Sequence, residues 1–279
     1  MKGVYDMAVP VVKWAGGKRQ LIPDITKRLP EQIGTYYEPF FGGGALFFNL
    51  SPKKAVINDF NSQLVNVYEQ IKNNPDLVTD YLKILQDGYN TLADDKAKSV
   101  YYFEKRDTFN DFIKNNIFTA ESASLFIFLN KAGFNGLYRV NASGLFNVPP
   151  AHRKKVSAYD AENITEVSKL LQKTKILQGD FEKACKGAKK GDLVFFDSPY
   201  YDTFDTYQAG GFSEEDHIRL SKLFKKLSDK GVYCILTNSE TDFIKSLYKD
   251  YTVDVVPVKR MINCDGDKRT GTEVIITNF

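Results

Sequence analysis

The chain of 279 residues carries a formal net charge of +3, and 43% of its residues are hydrophobic. This length and composition suit an α/β core with a second, smaller lobe, and no apolar run has the length of a membrane-spanning helix. Residues 1–12 lack the basic start and apolar stretch of a secretory signal, so we expect a cytoplasmic protein. The net charge is too small to indicate nucleic-acid binding by itself.

Cysteine and histidine are too few and too scattered to predict a metal centre. Cys185, Cys234 and Cys264 show no paired spacing, which argues against a disulfide framework and against a zinc cluster. The two histidines, His152 and His217, are far apart in the sequence. We therefore expect chemistry that uses no metal.

Four segments have the apolar pattern of buried strands: residues 35–40, 55–58, 192–196 and 231–237. All four end at chemically interesting residues, namely a glycine run, Asp59, Asp197 and, for the last, Asn238 and Ser239. In open α/β sheets, ligands bind at the carboxyl ends of the strands. These strand ends are therefore the predicted place of the site.

The second half of the chain alternates strands with helices. Ser213 and Asp216 form a capping box, and apolar residues follow at helical spacing. A further helix over residues 241–248 precedes two closing strands at 252–258 and 273–279. This alternation predicts an α/β fold with a mostly parallel sheet.

The middle of the chain differs from both ends. Residues 61–120 have a helical pattern without strand alternation, and residues 130–150 are dense in glycine, asparagine and aromatic residues. Asn-Gly at 135–136 and Ser-Gly at 143–144 are hairpin-turn signals. We predict an inserted helical lobe that carries a protruding loop or hairpin.

Glycines 42–44 follow the first predicted strand and would let the backbone approach a ligand closely, because glycine has no Cβ. Asp59, at the end of the next strand, could accept hydrogen bonds from ribose hydroxyls. Phe47 stands where a dinucleotide-binding fingerprint would need glycine, which argues against a nicotinamide dehydrogenase. The pattern fits any nucleoside cofactor, and a plain tight turn is the alternative.

The sharper feature is Asp197-Ser198-Pro199-Tyr200, directly after a predicted buried strand. The exocyclic amine of adenine is a poor nucleophile because its lone pair is delocalised into the ring. A carboxylate, Asp197, and a backbone carbonyl, that of Ser198, could accept its two N–H bonds and localise the lone pair. Tyr200 would offer a stacking face to a base drawn out of a duplex. The alternative is a polar turn whose tyrosine packs in the core.

A third segment, residues 13–19, places a tryptophan ring, a glycine pair and three cations close together. Such a segment could cover a cofactor or touch phosphate. A surface loop is the alternative for this segment taken alone.

Seven short motifs run in order along nearly the whole chain, and together they are far more specific than each alone. They are Lys13-Trp14-Ala15-Gly16-Gly17-Lys18, Glu38-Pro39-Phe40-Phe41-Gly42-Gly43-Gly44, Ile57-Asn58-Asp59, Phe134-Asn135-Gly136-Leu137-Tyr138-Arg139, Phe146-Asn147-Val148-Pro149, Gly179-Asp180-Phe181 and Asp197-Ser198-Pro199-Tyr200. In this order the chain resembles the DNA adenine methyltransferases of the Dam and Dpn type.

The resemblance implies a Rossmann-like sheet that binds S-adenosylmethionine, with an inserted helical DNA-recognition domain. Residues 1–60 and 155–279 would form the catalytic domain. Residues 61–154 would form the target-recognition domain, with a DNA-reading hairpin at 130–150. The implied reaction transfers a methyl group to N6 of a flipped adenine and leaves S-adenosylhomocysteine.

The resemblance also assigns individual residues. It assigns catalysis to Asp197, Ser198, Pro199 and Tyr200. The cofactor contacts are Trp14, Lys18, Glu38, Phe40, Gly42, Gly44, Asp59, Asp180, Phe181 and Asp197. The DNA contacts are Lys13, Phe134, Asn135, Leu137, Arg139, Asn147, Pro149 and Arg153. Among these, Arg139 is expected to read a guanine through O6 and N7, Phe134 and Leu137 to contact or wedge between bases, and GATC to be the target.

One departure from the family is Ser198, since the family's catalytic motif has proline at this position. Serine still provides the backbone carbonyl, but the fixed φ of proline is lost, which costs about 0.4–1 kcal/mol where the conformation is compatible. We expect an active enzyme that turns over more slowly than its relatives.

Other functions stay open from the sequence. The acceptor could be an RNA base or a protein glutamine amide, or the chain could be a DNA-binding relative with impaired catalysis. We expect a partner in double-stranded DNA, no membrane, a monomer or weak dimer, and a cytoplasmic location in a bacterial or phage-infected cell. A companion restriction endonuclease is an open alternative.

Overall fold

A computed structural model describes residues 8–14, 16, 20–201, 211–259 and 270–279. The helices within these residues are α1 (Ile22–Thr26), α2 (Ala45–Leu50), α3 (Ser62–Asn73), α4 (Pro75–Asn90), α5 (Asp95–Lys114), α6 (Ala120–Ala132), α7 (Ala161–Leu171), α8 (Phe181–Ala184), α9 (Glu214–Asp229) and α10 (Asp242–Leu247). The strands are β1 (Tyr36–Glu38), β2 (Ala55–Asp59), β3 (Thr174–Gln178), β4 (Leu193–Phe196), β5 (Tyr233–Ser239), β6 (Thr252–Lys259) and β7 (Thr270–Thr277).

The seven strands form one sheet in the order β3-β2-β1-β4-β5-β7-β6. Strand β1 pairs in parallel with β2 and β4, and β4 pairs in parallel with β5. Strand β7 runs antiparallel to both β5 and β6. Every residue of β4 is buried, as a central parallel strand covered on both faces requires. The fold is mixed α/β, which confirms the predicted class.

The strand predictions differ from the structure in several places, and the strands predicted at 231–237 and 273–279 are β5 (Tyr233–Ser239) and β7 (Thr270–Thr277). The first strand ends at Glu38 because Pro39, which follows, has no N–H to continue the ladder. Strand β3 is absent from the sequence-based prediction, since Lys175 and Gln178 interrupt its short apolar run and leave no clear alternation. Short segments of this kind carry too little pattern to be recognised.

The capping box predicted before α9 is confirmed. The Ser213 hydroxyl accepts the N–H of Asp216 at 3.2 Å, and the Asp216 carboxylate accepts the N–H of Ser213 at 3.1 Å. From this start the helix buries one face, as its apolar spacing predicts. The buried side chains of that face are His217, Leu220, Phe224 and Leu227.

Helices α3 to α6 follow one another between β2 and β3, which confirms the predicted helical segment. Helix α6 is buried over most of its length and is in contact with α3, α4 and α5. It continues to Ala132, so the first three residues of the predicted hairpin segment 130–150 belong to this helix. None of the helices in the described ranges is both long and apolar enough to cross a membrane.

The chain divides into two compact units. The first comprises the described residues of Met1–Gly17, Gly42–Ser51 and Asp59–Gln178, and the second those of Lys18–Phe41, Pro52–Asn58 and Gly179–Phe279. The division that the sequence predicts, with a target-recognition domain at 61–154, uses other boundaries and stays a prediction.

Candidate active site

The glycine run lies in the first unit. Gly42 has a φ of +49° and Gly44 a φ of +66°, both in the left-handed region that favours glycine. A Cβ on Gly42 would lie 2.6 Å from Cδ1 of Trp14. Close packing therefore requires glycine at position 42 in addition to the backbone conformation.

Asp59 ends β2 and holds the glycine run in place. Its Oδ2 accepts the N–H of Gly42 at 2.8 Å, and its Oδ1 accepts the N–H of Asn61 at 2.9 Å. The Tyr68 hydroxyl donates to the Gly42 carbonyl at 2.9 Å. Burial raises the pKa of the Asp59 carboxyl, and the backbone N–H donors oppose that rise. Each carboxylate oxygen has a second lone pair, so Asp59 can accept further hydrogen bonds.

Trp14 is the only tryptophan of the chain and belongs to a stack of aromatic rings. Its ring centroid lies 5.8 Å from that of Tyr138, and the Tyr138 centroid lies 5.1 Å from that of Phe126. Offset stacks of this kind fix ring orientation. Lys18, the other cofactor contact predicted in this segment, lies outside the described residues.

In the second unit, the buried side chain of Asn58 joins two loops. Its Nδ2 donates to the carbonyls of Pro39 and Gly179, both at 2.9 Å. The first of these loops carries Phe40 and the second carries Asp180, two residues predicted to contact the cofactor. Asn58 therefore sets the spacing between them.

Asp180 caps α8. Its Oδ1 accepts the N–H of Glu182 at 2.9 Å, and its Oδ2 accepts a hydrogen bond from Nη2 of Arg219 at 2.8 Å. The ring of Phe181 is buried, with its centroid 5.3 Å from that of Phe40. The structure thus brings together three predicted cofactor residues: Phe40, Asp180 and Phe181.

Glu38, at the end of β1, is buried. Its Oε2 accepts a hydrogen bond from the Tyr36 hydroxyl at 2.8 Å. Burial raises the pKa of Tyr36, and the neighbouring Glu38 carboxylate raises it further. The Tyr36 hydroxyl therefore stays protonated and orients the carboxylate of Glu38.

The turn after β4 is held by the end of β5. Oδ1 of Asp197 accepts a hydrogen bond from the Thr237 hydroxyl at 2.9 Å. The buried Ser198 hydroxyl accepts from Nδ2 of Asn238 at 3.2 Å, and Oδ1 of Asn238 accepts the N–H of Tyr201 at 3.0 Å. Consecutive residues of β5 therefore hold both ends of the turn that contains the predicted catalytic residues.

Tyr200 is fixed through its hydroxyl, which donates to Oε2 of Glu273 at 2.5 Å. Burial raises the pKa of Tyr200 far above its usual range, and the negative charges of Asp197 and Glu273 add to the rise. The phenol therefore stays neutral and acts as a donor. Pro199 and Tyr200 are both partly exposed, and the role predicted for Tyr200 stays a prediction beside the alternative of a tyrosine packed in the core.

Arg139 is exposed on the predicted hairpin. Its Nε donates to Oδ1 of Asn147 at 2.8 Å, and its Nη2 donates to the Asn147 carbonyl at 3.3 Å. Val140 and Phe146 form an antiparallel bridge around the Ser-Gly turn at 143–144, as predicted. The hairpin therefore presents the guanidinium of Arg139 to solvent, and Asn147, on the opposite arm of the hairpin, sets its direction.

The other predicted turn, Asn135-Gly136, has positive φ at both residues, +54° and +66°. It connects α6 to the hairpin rather than two strands, which differs from the expectation. Phe134, just before it, is 51% exposed, whereas Leu137, just after it, is half-buried. An exposed phenylalanine next to a rigid turn agrees with the predicted contact to bases, which stays a prediction.

Helix α5 anchors the second arm of the hairpin. The Tyr102 hydroxyl donates to the Val148 carbonyl at 3.0 Å. The Asn110 side chain makes two hydrogen bonds to the backbone of Phe146, at 2.8 and 3.1 Å. Asn147 lies between these two anchored residues, and the exposed Pro149 follows them.

Lys13 and Arg153, two predicted DNA contacts, both belong to the first unit, where their backbone carbonyls accept hydrogen bonds. Nδ2 of Asn130 donates to the carbonyls of Lys13 and Gly136, at 2.9 and 2.7 Å. The Tyr89 hydroxyl donates to the Arg153 carbonyl at 2.9 Å. The side chain of Lys13 is exposed, and Nε of Arg153 has no hydrogen-bond partner among the described residues.

Neither described cysteine has the environment of a nucleophile. Cys185 and Cys234 are buried and form no disulfide, and burial raises the pKa of Cys185 to about 12. Cys264 lies outside the described residues. Within the part of the chain that the structure describes, no group of His, Cys, Asp and Glu side chains is arranged to hold a metal ion.

Sequence reasoning assigned no role to the residues that hold the predicted ones in place. They share a position at a strand end or in a neighbouring element, and they are Asn58, Tyr68, Arg219, Thr237, Asn238 and Glu273. For Thr237 and Asn238 a signal existed, since both are polar residues at the end of a buried strand. Glu273 and Arg219 are far from their partners in sequence and carry no such signal.

The comparisons with known proteins agree on one family. The chain matches the family model of the D12 class N6 adenine-specific DNA methyltransferases over residues 14–263. It is 41% identical to the type II methyltransferase M1.LlaDCHI of Lactococcus lactis subsp. cremoris, over 97% of this chain and 95% of that protein. It is 40% identical to the type II methyltransferase M.MjaIII of Methanocaldococcus jannaschii, over 97% and 99% of the two chains. Identity to a DNA adenine methylase of Haemophilus influenzae is 29%, over 97% and 93%.

The glycine run after β1 and the Asp-Ser-Pro-Tyr turn after β4 both lie within the residues that the family model matches. The chain belongs to the D12 class of N6 adenine-specific DNA methyltransferases. The predicted enzyme class, an S-adenosylmethionine-dependent DNA adenine-N6 methyltransferase, is thereby confirmed.

Proposed function

We propose that this enzyme methylates N6 of adenine within GATC in double-stranded DNA, with Asp197 as the carboxylate that orients the amine. The observation that carries the proposal is the fixed turn after β4, where Thr237 and Asn238 hold Asp197 and Ser198. A carboxylate and an adjacent backbone carbonyl are the acceptors that an exocyclic amine with two N–H bonds requires.

The chain's residues fit S-adenosylmethionine as the methyl donor. In the first unit, a cradle at Gly42 that a Cβ would fill lies beside Trp14, and the Asp59 carboxylate, with backbone donors from Gly42, Phe60 and Asn61, can still accept from a ribose hydroxyl. Phe60, which follows Asp59, is 57% exposed and offers a face for the adenine ring. The remaining proposed contacts are Lys18, Glu38, Phe40, Gly44, Asp180, Phe181 and Asp197.

Gly42→Ala is expected to weaken cofactor binding by about tenfold or more, since its Cβ would displace Trp14 and its φ is unfavourable for alanine. Because Trp14 is the single tryptophan, its fluorescence reports the site directly during titration with S-adenosylhomocysteine. Gly144→Ala is the matched control, because Gly144 also has a positive φ but a Cβ there would meet nothing within 4 Å. Equal affinity of the Gly42 variant and the natural protein would contradict the proposed cradle.

When bound, S-adenosylmethionine would supply an electrophilic methyl carbon on its sulfonium sulfur and would leave as S-adenosylhomocysteine, while the methylated N6 would release one of its two protons to solvent. Asp197 accepts one N–H of the adenine amine, and its orientation is set by the Thr237 hydroxyl. The Ser198 carbonyl accepts the second N–H. Together they favour a tetrahedral nitrogen whose lone pair is localised, and the Tyr200 ring stacks on the flipped base.

Serine in place of proline leaves the turn anchored in another way. Proline at position 198 would fix φ, whereas Ser198 accepts a hydrogen bond from Asn238, which also accepts from Tyr201. The hydrogen bond from Asn238 to Ser198 restrains the turn, although serine itself does not fix the backbone φ as proline would. The alternative of a catalytically impaired relative is therefore not favoured.

Ser198→Pro is expected to lower stability, because Nδ2 of Asn238 would be buried without its acceptor. The cost of an unsatisfied buried donor is about 1–3 kcal/mol, and the proline restraint offsets about 0.4–1 kcal/mol of it. Thermal unfolding of both proteins and their turnover on GATC duplex measure the effect. No activity in the natural chain together with activity in the variant would mean that Ser198 impairs catalysis.

The proposed DNA reader is the hairpin. The Nε and Nη2 atoms of Arg139 are used by Asn147, and its Nη1 has no partner among the described residues. A guanidinium can still present two N–H bonds to O6 and N7 of a guanine. Phe134, Asn135, Leu137 and Pro149 are proposed to contact bases, and Lys13 and Arg153 to contact phosphates.

The test of this function is methylation-aware sequencing of DNA from cells that express this chain alone. N6-methyladenine confined to GATC supports the proposal, and methylation at another sequence overturns the target. A radiolabelled methyl assay with duplex DNA, RNA and protein substrates separates the DNA acceptor from the two others. Incorporation of label into RNA or protein in preference to duplex would overturn the proposed acceptor.

We further propose that the enzyme acts as a monomer or weak dimer in the cytoplasm, beside a restriction endonuclease of the same specificity. Two of its relatives carry the name type II methyltransferase. Sedimentation analysis with and without duplex tests the oligomeric state. Protection of expressing cells' DNA from a GATC-cleaving nuclease tests the pairing.

A further inference from the structure

Arg219, on α9, binds three carboxylates with three different nitrogen atoms. Its Nη2 lies 2.8 Å from Oδ2 of Asp180, its Nε 3.0 Å from Oε1 of Glu182, and its Nη1 2.8 Å from Oδ1 of Asp216. The guanidinium carbon also lies 4.9 Å from the ring centroid of Phe181. One cation therefore pairs with three neighbouring carboxylates, which reduces their mutual repulsion, and it also covers the Phe181 ring.

The position of Arg219 is set by its own helix. Asp216 is the third residue of α9, where its second oxygen accepts the N–H of Ser213 in the capping box. Because Asp216 and Arg219 are three residues apart, they lie on one face of the helix. The guanidinium is thus held by α9 and reaches from there to Asp180.

The contact with Arg219 leaves the Asp180 carboxylate able to accept further hydrogen bonds. One oxygen takes the N–H of Glu182 and the other takes Arg219, so each keeps one lone pair. Those lone pairs suit a donor such as the N6 amine of an adenine ring. Without the guanidinium, Asp180 would face Glu182 and Asp216 as like charges, and its second oxygen would lose its restraint.

We propose that Arg219 is a positioning residue that orients Asp180 for recognition of the adenine ring of the cofactor. The inference rests on the proposed contact between Asp180 and that ring. It adds that cofactor selectivity depends on a residue of α9 in no direct contact with the cofactor. Since the Arg219 and Asp180 side chains are 41% and 33% exposed, their ion pair adds little to stability. We therefore expect substitution of Arg219 to change the affinity for the ligand rather than the stability of the fold.

The experiment compares two ligands by isothermal titration calorimetry: S-adenosylhomocysteine and S-inosylhomocysteine. The inosyl ring carries a carbonyl oxygen in place of the N6 amine, and a carboxylate acceptor disfavours it. Arg219→Gln is expected to weaken adenosyl binding about tenfold and to reduce the preference for adenosyl over inosyl by a similar factor. Arg219→Lys is expected to recover part of that preference, because it keeps the charge but not the three-way geometry.

Arg28→Gln is the matched control. Arg28 forms an ion pair with Asp254 at 2.8 Å in the same unit, remote in sequence from the Asp180 segment. This variant is expected to leave both affinities and their ratio unchanged. Thermal unfolding of each variant shows whether the fold is retained.

Asp180→Asn tests the contact between Asp180 and the cofactor separately from the role of Arg219. If Asp180→Asn reduces the adenosyl preference and Arg219→Gln leaves it intact, the role of Arg219 is wrong and the cofactor contact stands. If Asp180→Asn leaves the preference intact, the cofactor contact itself is wrong. An Arg219→Gln protein that loses affinity for both ligands equally would show a merely structural role and overturn the proposal.

Discussion

Asp197→Ala is expected to lower methyl transfer by about 10²–10³ or more in kcat, while DNA binding stays largely intact. The variant removes the acceptor that, in the proposed mechanism, draws one hydrogen of the adenine amine away from the ring plane. Removal of one preorganised group at a reacting centre costs about 10²–10³ in kcat, and a charged acceptor lies at the upper end. Single-turnover transfer of a radiolabelled methyl group to GATC duplex measures the rate, and a gel-shift titration measures DNA binding.

Two variants calibrate that result. Thr237→Val removes the hydroxyl that donates to Asp197 and also contacts Tyr200, so a smaller loss in kcat is expected with the carboxylate still present. Asp229→Ala removes an exposed carboxylate that pairs with Lys225 on α9, and full activity is expected. Transfer by Asp197→Ala at a rate similar to that of the natural protein would remove Asp197 from the proposed mechanism.

Arg139→Ala is expected to relax discrimination at one guanine of the target. A bidentate contact between guanidinium and guanine contributes about 1–3 kcal/mol of discrimination, or roughly five- to 150-fold in relative kcat/KM. Duplexes that differ from GATC at single positions provide the measurement. The loss is expected at the guanine position and not uniformly across the site.

Arg139→Lys is the matched control for charge. Lysine keeps the positive charge but lacks the planar fork, so the salt dependence of DNA binding should stay close to that of the natural protein while discrimination falls. Asn147→Ala, which frees Nε of Arg139 from the opposite arm, should give a smaller loss of the same kind. Unchanged sequence preference in Arg139→Ala would show that another residue reads the guanine.

The fold class and the central elements of the site follow from local sequence. The buried strand before Asp197 and the Ser213 capping box are confirmed where their patterns place them. Such features depend on neighbouring residues, which is why pattern and propensity suffice to find them. Strand β3 cannot be predicted in this way, because its five residues show no clear alternation of polar and apolar side chains.

The sequence by itself determined the enzyme family, through seven motifs in a fixed order, and the α/β class, through the alternation of strands and helices. It also proposed the residues of the chemistry, because these lie in short contiguous motifs. The tertiary structure decided how those residues are held. Thr237 and Asn238 hold the turn at Asp197 from 40 residues away, Glu273 binds Tyr200 across 73 residues, and Arg219 meets Asp180 only because α9 folds beside α8. Hydrogen-bond partners of this kind are chosen by strand order and helix packing, and no local pattern encodes them.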